Sequence, residues 1–354
     1  MVEAMSEKRR SPRTPAAAPS PSPSSGTPPR PNSRARRPDS GAQPDAEPAD
    51  GPAASPARVT LSTASVYPMG VAAAFETAAR LGYDGVEVMV LSDPVTQSAA
   101  ILGRLAERHG VPVTSIHAPT LLVAQRVYGA SDPWTKIDRS IDLAHELGCP
   151  TIVLHPPFRW QREYARTFVD GVAEREHERD ITLAVENMFP WRARQRHVQA
   201  YLPAWDPVSQ PYDHVTIDLS HASTAHSDVL AMQEALGSRL AHVHLADGSG
   251  SLKDEHLVPG RGNQPCAEFL AGLVRDGYAG DVTIEVNTRR RGGRHRQADL
   301  RASLAFARAH LGQSRDSEEA RFGDELPTAT GGSDDISKPM AVARRLSRGG
   351  REQP

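Results

Sequence analysis

The stretch LAHVHLADGSGSLKDEHLVPGRGN, residues 240–263, falls into two parts that obey different rules. Its first eight residues form a short apolar run of the kind that makes a buried strand, whereas the remainder is rich in Gly and Ser and cannot build a packed interior. From His244 onward, two histidines and two aspartates nevertheless stand at the strand's end and along the loop. Side chains alternate along a strand, so His242 shares the direction of His244 but sits deeper, which reads as a structural or supporting position. Asp247 reads as a cap for the loop that follows it.

Seven further runs repeat the apolar pattern: VTLSTASV (59–66), GVEVMV (85–90), VPVTSIHA (111–118), PTIVLHP (150–156), ITLAVEN (181–187), HVTIDLS (214–220) and VTIEVNT (282–288). Between them lie amphipathic stretches such as VAAAFETAARLG (71–82), QSAAILGRLAERHG (97–110), TKIDRSIDLAHELG (135–148) and NQPCAEFLAGLVRDG (263–277). Several end at a Gly suited to a left-handed C-terminal cap. Strand and helix in strict alternation, with near-continuous apolar strands, imply a parallel sheet covered on both faces. Eight such units predict closure into an α/β fold of the (β/α)8 TIM barrel type. An open doubly wound sheet would be expected to carry a Gly-rich phosphate loop after an early strand, and none is present.

The alternation occupies residues 58–312. Residues 1–57 are a Pro-, Ser- and Arg-rich arm without apolar periodicity, and 313–354 are a polar, Gly-containing tail; both are expected to be disordered. Lys and Arg number 41 against 43 Asp and Glu, a net charge of −2, and the barrel region is the more acidic part. A field that would draw the domain onto nucleic acid is therefore absent. Two cysteines, Cys149 and Cys266, are too few for a disulfide framework. No apolar run long enough to span a bilayer and no signal-peptide core are present, so a soluble cytoplasmic protein is expected.

The last positions of the third to eighth strands carry His117, His155, Glu186, Asp218 (with His221 three residues on), His244 and Glu285. A barrel gathers the carboxyl ends of its strands at one mouth, so these scattered residues are predicted to converge. Polar groups at the ends of Val- and Ile-rich strands are costly to bury unless paired or liganded. Imidazoles and carboxylates without a thiolate suit a divalent metal such as Mn, Co, Zn, Mg or Fe(II). Glu87, assigned to the end of the second strand, is placed to orient a ligand or pair with a neighbouring His.

Taken in order, SIHAP, VLHP, VEN, IDLSHA, HLAD, DEHLVPGRGN and IEVNTR resemble the motifs of the xylose-isomerase-like TIM barrel superfamily. That superfamily joins sugar and sugar-phosphate isomerases and epimerases with abasic-site nucleases of the endonuclease IV type. In the isomerase branch the resemblance implies one divalent ion (Mn, Co, Mg or Zn) held by Glu186, Asp218, His244 and Glu285. Glu186 and Glu285 would then act as the catalytic acid/base pair, moving a proton through a metal-stabilised enediolate. In the nuclease branch it implies a three-zinc cluster, for which His117, His155, His221, Asp254 and His256 supply the additional ligands. In an isomerase these five serve instead as substrate ligands or supports.

Two departures count against the nuclease branch: Thr120 and Leu121 stand where it has a Tyr-Leu pair, and the bulky MFPWRARQ (188–195) follows Glu-Asn in place of a small loop. Zinc-dependent phosphodiesterase activity stays as the alternative, a non-catalytic binding barrel as a third, and nucleic acid as a disfavoured partner. Arg159, Arg162, Arg192, Arg194, Arg196 and Arg289 to Arg291 are predicted to ring the mouth among Phe158, Trp160, Phe189 and Trp191, suited to an anionic sugar substituent. Arg159, Trp191, Arg261 and Arg289 are the candidate substrate-binding residues. The expected partner is a small sugar or sugar phosphate, and the family's habit of pairing implies a homodimer.

Overall fold

Short parallel strands close on themselves in the computed structural model, which describes residues 56–119, 127–193 and 196–313, with the backbone alone at 192, 193, 196 and 197. The strands are β1 (Arg58–Ser62), β2 (Gly85–Met89), β3 (Val113–His117), β4 (Thr151–Leu154), β5 (Thr182–Glu186), β6 (Trp191–Ala193), β7 (Arg196–Val198), β8 (Val215–Asp218), β9 (Leu240–Leu245) and β10 (Asp281–Ile284). β6 and β7 form a separate antiparallel hairpin; the other eight form a closed parallel barrel in the order β1-β10-β9-β8-β5-β4-β3-β2. Closure is a parallel pairing of first and last strands, from Arg58 opposite Asp281 to Leu61 opposite Ile284.

The helices are α1 (Val71–Leu81), α2 (Ala99–His109), α3 (Pro133–Leu147), α4 (Arg162–Arg179), α5 (Leu219–Ala225), α6 (Val229–Leu236), α7 (Cys266–Arg275) and α8 (Gly293–His310). α1, α2 and α3 end at Gly82, Gly110 and Gly148, whose φ values of 86°, 64° and 67° lie in the left-handed region that a side chain disfavours. Ser98 and Asp132 cap the N-termini of α2 and α3, accepting from Ile101 N at 3.4 Å and Thr135 N at 2.7 Å. The inner faces of the helices press Phe75, Leu102, Ile141, Phe168, Phe269 and Leu304 against the sheet, all fully buried. Each such side chain stabilises the fold by about 1.5–3 kcal/mol.

The sequence expectation fails in two places. The run 59–66 is not one strand: β1 stops at Ser62, whose hydroxyl accepts from Ala64 N at 3.3 Å and starts a 3-10 turn over Thr63–Val66. Strict alternation also breaks after β5, where the described residues up to β8 hold the β6–β7 hairpin and no helix. Pro190, Pro203, Pro207 and Pro211 lie in that interval, and a proline removes a helical donor and clashes with the preceding turn. No helix among the described residues is long and apolar enough to cross a membrane. Apart from 56, 57 and 313, the two arms lie outside the described residues, as do Thr120, Leu121 and Arg194.

Candidate metal centre

The four strands that are consecutive around the barrel as β5, β8, β9 and β10 bring Glu186, Asp218, His244 and Glu285 to one point. One ligand atom from each lies within 4.8 Å of all the others, and all four side chains are buried. His244 is the hub: its Nδ1 is 3.1 Å from Glu186 Oε1, 2.9 Å from Glu285 Oε2 and 3.7 Å from Asp218 Oδ2. Strand alternation explains why His242 and His244 both face inward.

Asp218 shows how the site is tied to the backbone. Its Oδ1 caps α5, accepting from His221 N at 2.7 Å, while Oδ2 is buried without a hydrogen-bond partner. Buried carboxylate oxygens are normally satisfied, so an oxygen without a hydrogen bond, in a residue that clusters with Glu186, His244 and Glu285, fits a cation binding position. Burial holds the Asp218 carboxyl above its usual range, although His221 and His256 pull against this. Burial also opposes the charge on Glu186 and Glu285, but the surrounding histidines together, His244 foremost, outweigh it and keep both below the usual range.

Beneath the hub, Glu87 Oε1 lies 3.1 Å from His244 Nε2 and Glu87 Oε2 lies 2.9 Å from His242 Nε2. Ser115 Oγ donates to the same carboxylate at 2.9 Å. Glu87 is in the middle of β2, not at its end, so it reaches His244 from below the mouth. A carboxylate on Nε2 fixes the proton there and leaves Nδ1 to face the other three acids.

A second arc surrounds Glu186. His155 Nε2 is 2.8 Å and His117 Nε2 3.3 Å from its Oε2, and His221 Nδ1 is 3.2 Å from its Oε1. On the loop after β9, His256 donates through Nδ1 to Glu285 O at 2.6 Å and turns Nε2 to Asp254 Oδ2 at 3.0 Å. Asp254 Oδ2 is also 3.4 Å from His221 Nε2. Burial would lower the His256 pKa, but Asp254 and Asp218 lift it to about 10. All nine strand-end and loop residues singled out in the sequence therefore meet. Asp218, His221 and His256 form a further group with ligand atoms within 4.8 Å.

The loop that carries Asp254 and His256 is held by Asp247, whose carboxylate accepts from the backbone N–H groups of Gly248, Gly260, Gly262 and Gln264 at 2.8–3.0 Å. A Cβ at Gly262 would strike Asp247 Oδ1 and Gly248 O, so this position admits glycine alone. Asn187, to which the sequence assigned no role, braces Asp218 from both sides: its Oδ1 accepts from Asp218 N at 2.7 Å and its Nδ2 donates to Asp218 O at 3.0 Å.

A cavity of about 390 Å³ opens over the centre, lined by His155, Glu186, Glu285, Phe158, Trp191 and Tyr201 among others. Phe158 stacks on Trp160 at 4.6 Å and on Tyr201 at 5.0 Å, and lies 5.7 Å from Trp191. The arginines separate into distinct settings. Arg261 and Arg291 both bind Asp299 of α8, at 2.6 and 2.7 Å. Arg289 lies 5.0 Å over the Tyr67 ring. Arg159 is exposed and is fixed through its backbone N–H to Ala200 O at 2.8 Å, and Arg162 opens α4. The side chains of Arg192 and Arg196 lie outside the described part.

Residues 75–310 match the family model described as a xylose isomerase-like TIM barrel. Uncharacterised proteins of Mycobacterium tuberculosis and Mycobacterium leprae are each 48% identical over 274 residues, 72% of this chain and 98% of their own. A fructoselysine 3-epimerase of Shigella flexneri is 24% identical over 243 residues, 61% of this chain and 84% of the epimerase. In fold, the chain is similar to a 3-keto-D-glucoside 4-epimerase of E. coli (TM-score 0.54, 16% identity, 72% of this chain and 99% of that one). It is likewise similar to a xylose isomerase domain protein of Alicyclobacillus acidocaldarius (TM-score 0.54, 22% identity, 72% and 99%). The motif order, the closed barrel and these likenesses agree, and the chain belongs to the xylose isomerase-like TIM barrel family.

Proposed function

We propose that the protein is a sugar or sugar-phosphate isomerase or epimerase that works with one divalent cation held by Glu186, Asp218, His244 and Glu285. The observation that carries this reading is the buried four-residue cluster with its unpartnered Asp218 oxygen. A cation bound there would polarise a sugar carbonyl and its neighbouring hydroxyl and make the intervening C–H acidic. Three carboxylates and one imidazole around it leave the site close to a single negative charge, better suited to a polyol than to a phosphodiester.

The chain's own groups supply the proton transfers. Glu186 and Glu285 stand at the two ends of the four-strand arc and both line the cavity. One carboxylate can take a proton from one face of the carbon beside the carbonyl, and the other can return a proton to the opposite face or to the next carbon. The first outcome inverts a centre; the second moves the carbonyl. His117 and His155 hold Glu186 Oε2 and so orient that carboxylate. Phe158, Trp191 and Tyr201 form an apolar wall against which a sugar ring packs. The similarity to a fructoselysine 3-epimerase supports the reaction class.

The alternative reading, a zinc-dependent phosphodiesterase of the abasic-site type, draws on the second group formed by Asp218, His221 and His256, with Asp254 beside it. Metal analysis and manganese calorimetry on the purified full chain separate the two. About one ion per chain, together with solvent deuterium entering a sugar in D2O, is expected. About three zinc ions and cleavage of an abasic duplex would replace the isomerase reading with the alternative, and no bound metal would remove both.

A further inference from the structure

A second cavity, of about 510 Å³, opens beside the metal centre and is not used by the chemistry above. The two cavities share Met89, His256 and Glu285 in their linings, so the second chamber lies directly beside the space over the four-residue cluster. Each volume alone lies in the roughly 300–1,000 Å³ range that encloses a drug-sized ligand, so the pair exceeds what one monosaccharide fills.

The lining of the second chamber is predominantly apolar. Tyr67, Met69, Val71, Leu91 and Val286 contribute to it, with the 3-10 turn after β1 as its floor. Tyr67 and Met69 are each 47% exposed, and with Trp191 they are three of the five most exposed large apolar side chains among the described residues. Apolar side chains gathered around a concave surface, and not scattered singly, mark a place that something apolar covers. Arg289 adds a polar edge: its guanidinium lies over the Tyr67 ring and, among the described residues, forms no ion pair, in contrast to Arg261 and Arg291. Stacked on a ring, a guanidinium keeps its in-plane N–H groups for a carboxylate or sulfonate. Two acids also border this chamber: Glu285, whose Oε2 is paired with His244 Nδ1 at 2.9 Å, and Asp93, whose Oδ1 caps by accepting from Val95 N at 3.0 Å.

We propose that this chamber binds an apolar, ring-sized substituent with an acidic group, attached to the sugar whose reacting carbons sit at the metal centre. The substrate class is thus an acidic aryl or alicyclic glycoside or a comparable sugar derivative, not a free monosaccharide. The proposal rests on the isomerase reading for what occupies the first cavity, but its own test is independent of turnover.

The probe is 1-anilinonaphthalene-8-sulfonate, an apolar ring system with one acid group, titrated by fluorescence into the full chain with and without Mn²⁺. Binding of one dye per chain in the micromolar range is expected. Gly70 lines the chamber with an ordinary φ of −74° and has nothing within 4 Å of where a Cβ would stand, so Gly70→Phe fills the space without backbone strain. Leu91→Trp enlarges a second lining side chain of the chamber. Each is expected to weaken dye binding about tenfold or more, equivalent to about 1.4 kcal/mol, while Mn²⁺ binding stays unchanged. 4-Carboxyphenyl β-D-glucopyranoside, whose acid is carried on the ring substituent, is expected to displace the dye at concentrations at which glucose does not.

No dye bound to the folded wild-type chain, equal affinity in both variants, or equal displacement by the two competitors would each overturn the proposal. Circular dichroism identifies a variant that fails to fold, in which case the other decides. Loss of Mn²⁺ binding by the wild type would instead sink the isomerase reading and leave the dye result to stand by itself.

Discussion

Glu87 Oε1 lies 3.1 Å from His244 Nε2, on the side of the imidazole opposite the three carboxylates that share its Nδ1. Both side chains are completely buried, so the pair fixes which nitrogen carries the proton and which is free for a metal. Removing such a partner typically costs 10–100-fold in metal affinity. Glu87→Ala is therefore expected to raise the Mn²⁺ dissociation constant by about 10–100-fold in calorimetry, and Glu87→Gln, which keeps an acceptor oxygen, by less. Unchanged affinity in both variants would show that His244 is not oriented from below.

Asp218 performs two tasks with its two oxygens, and substitutions divide them. Asp218→Asn keeps an oxygen to cap α5 through His221 N but places an uncharged group where the orphan Oδ2 stands. Burial already opposes the charge on Asp218, so the metal-free Asn variant should melt no lower than the metal-free wild type. Mn²⁺ should raise the melting temperature of the wild type and leave that of the Asn variant unchanged. Asp218→Ala forfeits the cap as well and should lose about a further 1 kcal/mol in urea denaturation.

How much of this could be read in advance follows from how local each feature is. Strand ends were legible, because alternation and apolar runs place His117, Glu186, Asp218 and His244 before any folding is known. Asn187 was visible in its motif but silent in role. Its grip on Asp218 exists only because β5 and β8 become neighbours across residues 187–214, whose described part holds no helix. Arg261 and Arg291 read as candidates to bind an anion; their common partner, Asp299, is set by how α8 returns over the barrel, which no local pattern encodes. The second cavity is a shape made by loops from β1, β2 and β10, and concavity leaves no trace in composition or spacing.

Asp247 decides whether the loop after β9 stays in place. Its buried carboxylate satisfies four backbone N–H groups at once, and a hydrogen bond to a charged group contributes about 1.5–3 kcal/mol. Asp247→Ala should lower stability by at least about 2 kcal/mol in urea denaturation. Because Asp254 and His256 ride on that loop, hydrogen exchange between 248 and 263 should accelerate more than in β9. Uniform acceleration across the barrel would mean the residue supports the whole fold instead.

A pH effect is expected away from the candidate metal centre, where His214 Nδ1 meets Glu176 Oε1 at 2.6 Å. That hydrogen bond raises the His214 pKa above 6.5, against a smaller opposing effect of burial. A raised pKa means the folded state holds the proton more tightly, so the stabilisation is complete below 6.5 and fades as pH rises through the folded value. With 39% of the His214 side chain exposed, solvent screening keeps the effect small. His214→Gln should melt lower than the wild type at pH 5.5, and the two should converge by pH 9. A constant difference across that range would rule out titration of this pair as the cause.

Arg289 and Arg291 are two residues apart yet should respond oppositely to the same substitution. Arg291 Nε is held by Asp299 Oδ2 at 2.7 Å, and Asp299 is buried and also carries Arg261. Arg291→Gln leaves that carboxylate with one fewer donor, so its cost falls on stability, by about 0.5–1 kcal/mol because the guanidinium is partly exposed. Arg289 forms no ion pair among the described residues, and Arg289→Gln should leave the melting temperature nearly unchanged. It should instead raise the KM for an anionic sugar derivative about tenfold while sparing the neutral parent, since a charge-assisted contact is lost only for the anion. If Arg291→Gln gave the larger KM effect, the anion would have to sit on the Asp299 side of the loop, and the division between the two arginines would be wrong.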